Sequence, residues 1–235
     1  MNILFFDTET NGLPLRRNAL TTDVENWPRI VQIAWQLWEV TPTDARQLGQ
    51  ASYIIRPEES LIWNNESAAI HKITKERALT EGVPGDAVLA QFRAVASNAK
   101  VLIAHNLAFD KPVLKAEFYR LNLNEQFLWW PPAEYCTMEN TTALCKLPSK
   151  YARPHDPYKF PRLSELHTFL FGLVDGAFDF HNAAGDVECL VQCFNELLRR
   201  RLVPVAAQWF RNFRVADAAA VGNTAASTST ASSAC

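Results

Sequence analysis

The segment Ile3-Leu4-Phe5-Phe6-Asp7-Thr8-Glu9 places four apolar side chains directly before two carboxylates. A short, uninterrupted apolar run so close to charge reads as a buried strand over residues 2–6. Side chains alternate along an extended chain, so Thr8 between them leaves Asp7 and Glu9 on the same face. Two like charges side by side at the edge of a core need a cation. A carboxylate cluster with no thiolate or imidazole spacing around it suits a hard divalent ion, Mg²⁺ or Mn²⁺.

Outward from this strand, β and α signals alternate, which makes the chain an α/β protein. Residues 29–40, with Ile30, Gln32, Ala34 and Gln36 in alternation, predict a second strand, and a third falls around residues 51–55. The three should form an antiparallel meander. Residues 15–28, bounded by Pro14 and Pro28, are a loop longer than a hairpin needs and lie beside the site. One or two short helices are expected over 65–77. A longer one covers 86–97, with Val88, Leu89, Phe92 and Val95 on a single face.

Val101-Leu102-Ile103-Ala104 is too brief for a helix and predicts a buried strand, followed by a helix over 109–121 that begins near Asp110. Open α/β sheets bind ligands at such carboxyl ends of strands. A helix over 164–171 stops at Gly172. The last helix, over 182–202, turns Val187, Leu190, Val191, Phe194 and Leu198 inward. It ends in Arg199-Arg200-Arg201, where the helix dipole favours cations.

Three segments carry the chemistry: Asp7-Thr8-Glu9-Thr10-Asn11-Gly12-Leu13-Pro14, His105-Asn106-Leu107-Ala108-Phe109-Asp110, and His181-Asn182-Ala183-Ala184-Gly185-Asp186. In sequence, order and wide separation they resemble the three motifs of the DEDDh branch of the DnaQ-like 3′→5′ exonucleases. That group contains the proofreading epsilon subunit of bacterial DNA polymerase III. The resemblance spans roughly residues 1–202. His181 stands five residues before Asp186, as in the histidine branch; the tyrosine branch would have Tyr where Asn182 stands.

The resemblance implies a ribonuclease H-like fold, a mixed central β-sheet flanked by helices, over residues 1–214. Asp7, Glu9, Asp110 and Asp186 would then hold two Mg²⁺ or Mn²⁺ ions about 3.5 to 4 Å apart. An imidazole is able to be neutral at pH 7, so His181 would be the general base that takes a proton from the attacking water. The implied substrate is the 3′ end of a nucleic acid, DNA that is single-stranded or mismatched, and the product a nucleoside 5′-monophosphate. Around the terminal nucleotide the resemblance points to Thr8, Thr10 and Leu13, and to Asn106. It also points to His71, in Ala69-Ile70-His71-Lys72-Ile73-Thr74, which is similar to the family's Ile-His-Gly-Ile-Thr with Lys72 in place of Gly. His105 is read as structural.

Two other readings keep part of this picture: RNA or oligoribonucleotides as substrate, or a non-catalytic polymerase or clamp accessory. The presence of all five active-site residues argues against the second. A lone Asp or His is usually a cap or a surface residue, and Asp110 alone would be read as a helix N-cap. The joint placement of the set makes that reading poor.

Composition agrees with one catalytic domain. A chain of 235 residues with 48% hydrophobic content buries one sizeable core. A net charge of −2 argues against a protein that grips long duplexes through many phosphates. The five cysteines, Cys136, Cys145, Cys189, Cys193 and Cys235, form no CxxC pair. Cys189 and Cys193, one helical turn apart, read as small core residues. A reducing, cytoplasmic setting is expected, with no apolar run long enough to span a bilayer.

Residues 146–162 differ in kind. Lys146, Lys150, Arg153, His155, Lys159 and Arg162 are interleaved with four prolines and three aromatics, an ordered loop or flap that is either solvated or a strap for single-stranded nucleic acid. Gln208-Trp209-Phe210-Arg211-Asn212-Phe213 has a distant look of a sliding-clamp peptide, but the aliphatic position is wrong and an amphipathic terminus is the better reading. Residues 215–235, dominated by Ala, Ser and Thr, are expected to be a disordered tail.

Overall fold

The computed structural model describes residues 1–40, 45–122, 130–153, 156–173 and 178–203. The clamp-like segment 208–213, the tail 215–235, His155 and Cys235 lie outside the described residues, as does the domain boundary expected at 214.

A five-stranded mixed sheet, ordered β3-β2-β1-β4-β5, forms the centre. Strands β1 (Asn2–Thr10), β2 (Ile30–Val40) and β3 (Ala45–Ile54) form the antiparallel meander, while β4 (Val101–Ala104) and β5 (Ala133–Cys136) continue parallel to β1. This is the ribonuclease H-like arrangement, with helices on both faces. Residues 65–81 form two short helices, α1 (Asn65–His71) and α2 (Lys75–Glu81), broken where Lys72 turns left-handed at φ +60°. The remaining helices are α3 (Gly85–Ala96), α4 (Leu107–Arg120), α5 (Thr137–Cys145), α6 (Leu163–Phe171) and α7 (Ala183–Arg199). Strands β6 (Pro148–Arg153) and β7 (Asp156–Tyr158) pair as a separate hairpin within the basic segment.

The apolar run that opens the chain is buried on both faces, and its two-residue period divides the core. Ile3 and Phe5 point to α6 and α7, with the Phe5 and Phe194 rings 5.5 Å apart. Leu4 and Phe6 point to α3 and α4, with Phe6 5.5 Å from Phe92. Cys189 and Cys193 are buried in the α7 layer as free thiols, as their spacing predicts. Among the described residues no helix is long and apolar enough to cross a membrane.

Candidate active site

The strand continues past its apolar run to Thr10, and the same alternation distributes the chemistry. Asp7 and Glu9 follow Ile3 and Phe5 onto the α7 face, whereas Thr8 follows Leu4 and Phe6 onto the α4 face. β4 pairs with β1 only as far as Phe5, opposite Ile103. Beyond it the edge of β1 is open on that side, and its free N–H needs an acceptor. Asp110 supplies one: the Thr8 backbone N–H and hydroxyl donate to its Oδ1 at 3.2 and 2.6 Å. Asp110 reaches that edge because Asn106, at φ +73°, turns the chain out of β4 into the first turn of α4. Asparagine tolerates this left-handed conformation better than most residues.

The third segment is built from α7 and the loop before it. Asn182 caps the helix by accepting from Ala184 N–H at 3.1 Å. Gln32, buried on β2 opposite Glu9, accepts from Ala183 N–H at 3.1 Å, which ties the helix start to the sheet. A Cβ on Gly185 would lie 2.6 Å from the Asp179 carbonyl, so only glycine allows the loop this close. His181, at φ +64°, donates its backbone N–H to Asp186 Oδ2 at 3.0 Å, and the residue is exposed.

One oxygen from each of Asp7, Glu9 and Asp186 lies within 4.8 Å of the others. Asp110 joins them electrostatically. Burial, and then the Asp186 and Asp110 carboxylates, push Glu9 up to about 8. Burial also raises Asp7 well above its ordinary value, with Asp110, Asp186 and Glu9 adding to the rise. Asp110 is pushed to about 7 by burial, which outweighs the Thr8 hydrogen bonds. Asp186 rises to about 6, again through burial first. Four carboxyls that burial and mutual repulsion hold towards the protonated form, with oxygen as the only donor atom, fit a hard divalent cation.

The expected substrate residues are placed unequally. Leu13 stands 79% exposed beside the site. Thr8 is buried with both donors on Asp110, and the Thr10 hydroxyl closes the turn onto the Gly12 carbonyl at 2.8 Å. His71 is buried: its Nδ1 accepts from Ile73 N–H at 3.1 Å, which leaves the proton on Nε2, and Nε2 has no partner among the described residues. The Trp63 ring meets His71 edge-on at 6.5 Å. Asn106 makes no capping side-chain bond; its backbone conformation makes the turn.

His105, read from the sequence as structural, is hydrogen-bonded through both ring nitrogens. Pro161's carbonyl can only accept, so His105 Nε2–H donates to it at 3.0 Å and Nδ1 accepts from the Thr137 hydroxyl at 2.9 Å. Burial lowers His105 to about 4. Gln32 and Asp179 escaped the sequence reading. A polar residue inside an apolar strand is the signal for Gln32. Asp179, paired with Lys72 at 3.1 Å, leaves none without the fold. A broad recess lined by Asn11, Arg29, Arg56, Glu117 and Arg120 includes none of the four carboxylates.

A mixed sheet with a carboxylate cluster at the end of its central strand, closed by an acidic residue from each of two helices, defines a DnaQ-like nuclease. The family model described as Exonuclease, that of RNase T, matches residues 4–194, and the chain belongs to this family of 3′→5′ exonucleases. Among solved structures the fold is similar to E. coli exonuclease I in complex with a dT13 oligonucleotide, at 19% identity and a TM-score of 0.66, covering 89% of this chain and 43% of that one. It is also similar to the moderately thermophilic exonuclease I from Methylocaldum szegediense, at 18% identity and a TM-score of 0.65, covering 90% and 43%. The chain thus spans less than half the length of these enzymes. No curated protein matches it by sequence.

Proposed function

We propose that the protein is a divalent-metal-dependent 3′→5′ exonuclease that releases nucleoside 5′-monophosphates from the 3′ ends of single-stranded or mismatched DNA. The observation that carries this reading is the convergence of Asp7, Glu9, Asp110 and Asp186, from one strand and two helices, on one part-buried cluster. Asp7, Glu9 and Asp186 would hold the metal, and Thr8 binds one oxygen of Asp110 so that the other can take part. Four carboxylates nearly balance two Mg²⁺ or Mn²⁺ ions, which when bound supply an activated water and charge stabilisation at the leaving oxygen. The exposed His181 takes the proton from the attacking water. Its backbone N–H on Asp186 and the cap at Asn182 set where the ring starts. Leu13, Thr10, His71 and Asn106 are the residues this reading assigns to the terminal nucleotide.

DNA is preferred over RNA because the E. coli neighbours were solved with DNA oligonucleotides. A polymerase or clamp partner would rest on residues outside those described, and the proposal stands without one. The test is nucleotide release from 5′-labelled DNA and RNA strands. EDTA should abolish single-nucleotide shortening and Mg²⁺ or Mn²⁺ should restore it; a blocked 3′ end should resist. Full activity after metal stripping, or equal cutting of circular strands, would overturn the reading. Faster turnover of RNA would reassign the substrate.

A further inference from the structure

From Lys146 to Phe160 the sequence carries four cations, Lys146, Lys150, Arg153 and Lys159, against one acidic residue, Asp156, in a chain of net charge −2. This stretch forms the β6–β7 hairpin, with Pro148 opposite Tyr158 and Arg153 opposite Asp156. Of the four cations only Lys159 has an ion-pair partner among the described residues, Glu165 at 2.5 Å. Lys146, Lys150 and Arg153 are exposed, Tyr151 is 88% exposed and Phe160 58%.

A lone two-stranded hairpin is marginal in water, and no side chain described on β6 or β7 is among the buried core residues, although Leu147, just before β6, packs against that core. The hairpin is instead held at its base. Lys159 N–H donates to the Leu147 carbonyl at 3.0 Å, and two residues later the Pro161 carbonyl accepts from His105. His105 directly follows β4 and opens the turn that delivers Asp110. The hairpin is therefore tied, through Pro161 and His105, to the segment that carries Asp110.

Resting on the exonuclease reading, we propose that the β6–β7 hairpin binds the single strand upstream of the carboxylate cluster, with Lys150 and Arg153 on phosphates and Tyr151 stacked on a base. Three exposed cations are few for a duplex, and an exposed ring needs an unstacked base to pair with. An acidic protein segment is the competing occupant. It would use the same charge but leaves the exposed Tyr151 without a role.

The test uses the full chain, as Lys150→Ala/Arg153→Ala and as Tyr151→Ala. Anisotropy of a labelled twenty-nucleotide strand in Ca²⁺ gives affinity against salt. The double variant should lower the log–log salt slope by about 1.4, at roughly 0.7 for each phosphate no longer neutralised. Tyr151→Ala should weaken binding by roughly tenfold. In Mg²⁺, the ratio of kcat/KM on that strand to kcat/KM on a dinucleotide should fall in both variants; a merely structural role would lower the two alike. An unchanged slope and ratio would overturn the proposal, as would native strand binding combined with weakened affinity for a polyglutamate peptide. If the native chain cleaves neither substrate, the exonuclease reading fails, while the anisotropy still decides the hairpin.

Discussion

The carboxylate cluster at the end of β1 and the β6–β7 hairpin both concentrate charge, in opposite sign and opposite solvent. In the cluster, burial and crowding push carboxyls to about 8, 7 and 6 at Glu9, Asp110 and Asp186. On the hairpin, Lys150 and Arg153 are exposed. A desolvated charge acts strongly on whatever enters beside it, whereas a solvated one is screened within about 10 Å at ordinary salt. On the proposed reading the cluster changes a bond and the hairpin holds a strand. Substitutions in the first should act on kcat, and in the second on affinity and its salt dependence.

The largest effect expected is from Asp186→Ala. It removes a carboxylate from the cluster and the acceptor of the His181 N–H together. Nucleotide release should fall by more than the roughly 10- to 100-fold typical of losing an outer partner of a metal ligand. Calorimetric titration with Mn²⁺ should show weakened binding. Native Mn²⁺ affinity in this variant would break the contrast at its strong end. His181→Ala comes next: kcat should drop by roughly 10²- to 10⁴-fold with metal and strand binding retained. A near-native rate would take the imidazole out of the chemistry.

How far the sequence discloses these two regions depends on where each signal resides. The cluster is legible because its residues sit in short segments beside apolar strands, where alternation assigns each side chain a face: Asp7 and Glu9 to one, Thr8 to the other. β3 begins at Ala45, earlier than residues 51–55 suggest, because Arg46, Gln47 and Gln50 sit on an exposed edge strand with no apolar rhythm. β5 and α5 give no warning either, one being four residues long and the other rich in threonine. The basic segment reads as loop since prolines stand at Pro148 and Pro157, yet a free two-stranded hairpin has edges that accept proline. The tie from Lys72 to Asp179 spans 107 residues and exists only in the fold.

His105 joins the two regions, and its burial gives a stability test. Unfolded, an imidazole binds its proton near 6.5; folded, His105 does so near 4. Between these values the unfolded chain holds more protons, so stability falls as pH drops through the window and is unaffected by this group above it. About 2.5 units corresponds to roughly 3 kcal/mol. Denaturant unfolding at pH 7.5 and pH 4.5, with Mg²⁺ present, should show His105→Gln losing less on acidification than the native chain. Equal losses would mean that the ring is not held neutral between Thr137 and Pro161.

The smallest effect expected is at Lys72, where two terms oppose each other. Its left-handed backbone costs a non-glycine residue roughly 1 kcal/mol, which Lys72→Gly would relieve, less the entropy glycine adds to the unfolded chain. The ion pair with Asp179 that the change removes is 70% and 62% exposed and is worth about 0 to 1 kcal/mol. Stability should therefore move by no more than about 1 kcal/mol. Rate is the sharper readout, because Asp179 belongs to the loop that carries His181, and Phe178 packs on His167 of α6 at 5.1 Å to hold that loop from the other side. Loss of the pair leaves Phe178, the Asn182 cap and the Gln32 tie in place, so kcat should fall by no more than about fivefold, the equivalent of 1 kcal/mol. Asp179→Asn should reproduce the fall if the pair positions the loop. A drop in Lys72→Gly alone, with salt dependence reduced, would instead mean that Lys72 meets the strand directly and belongs with the hairpin's cations.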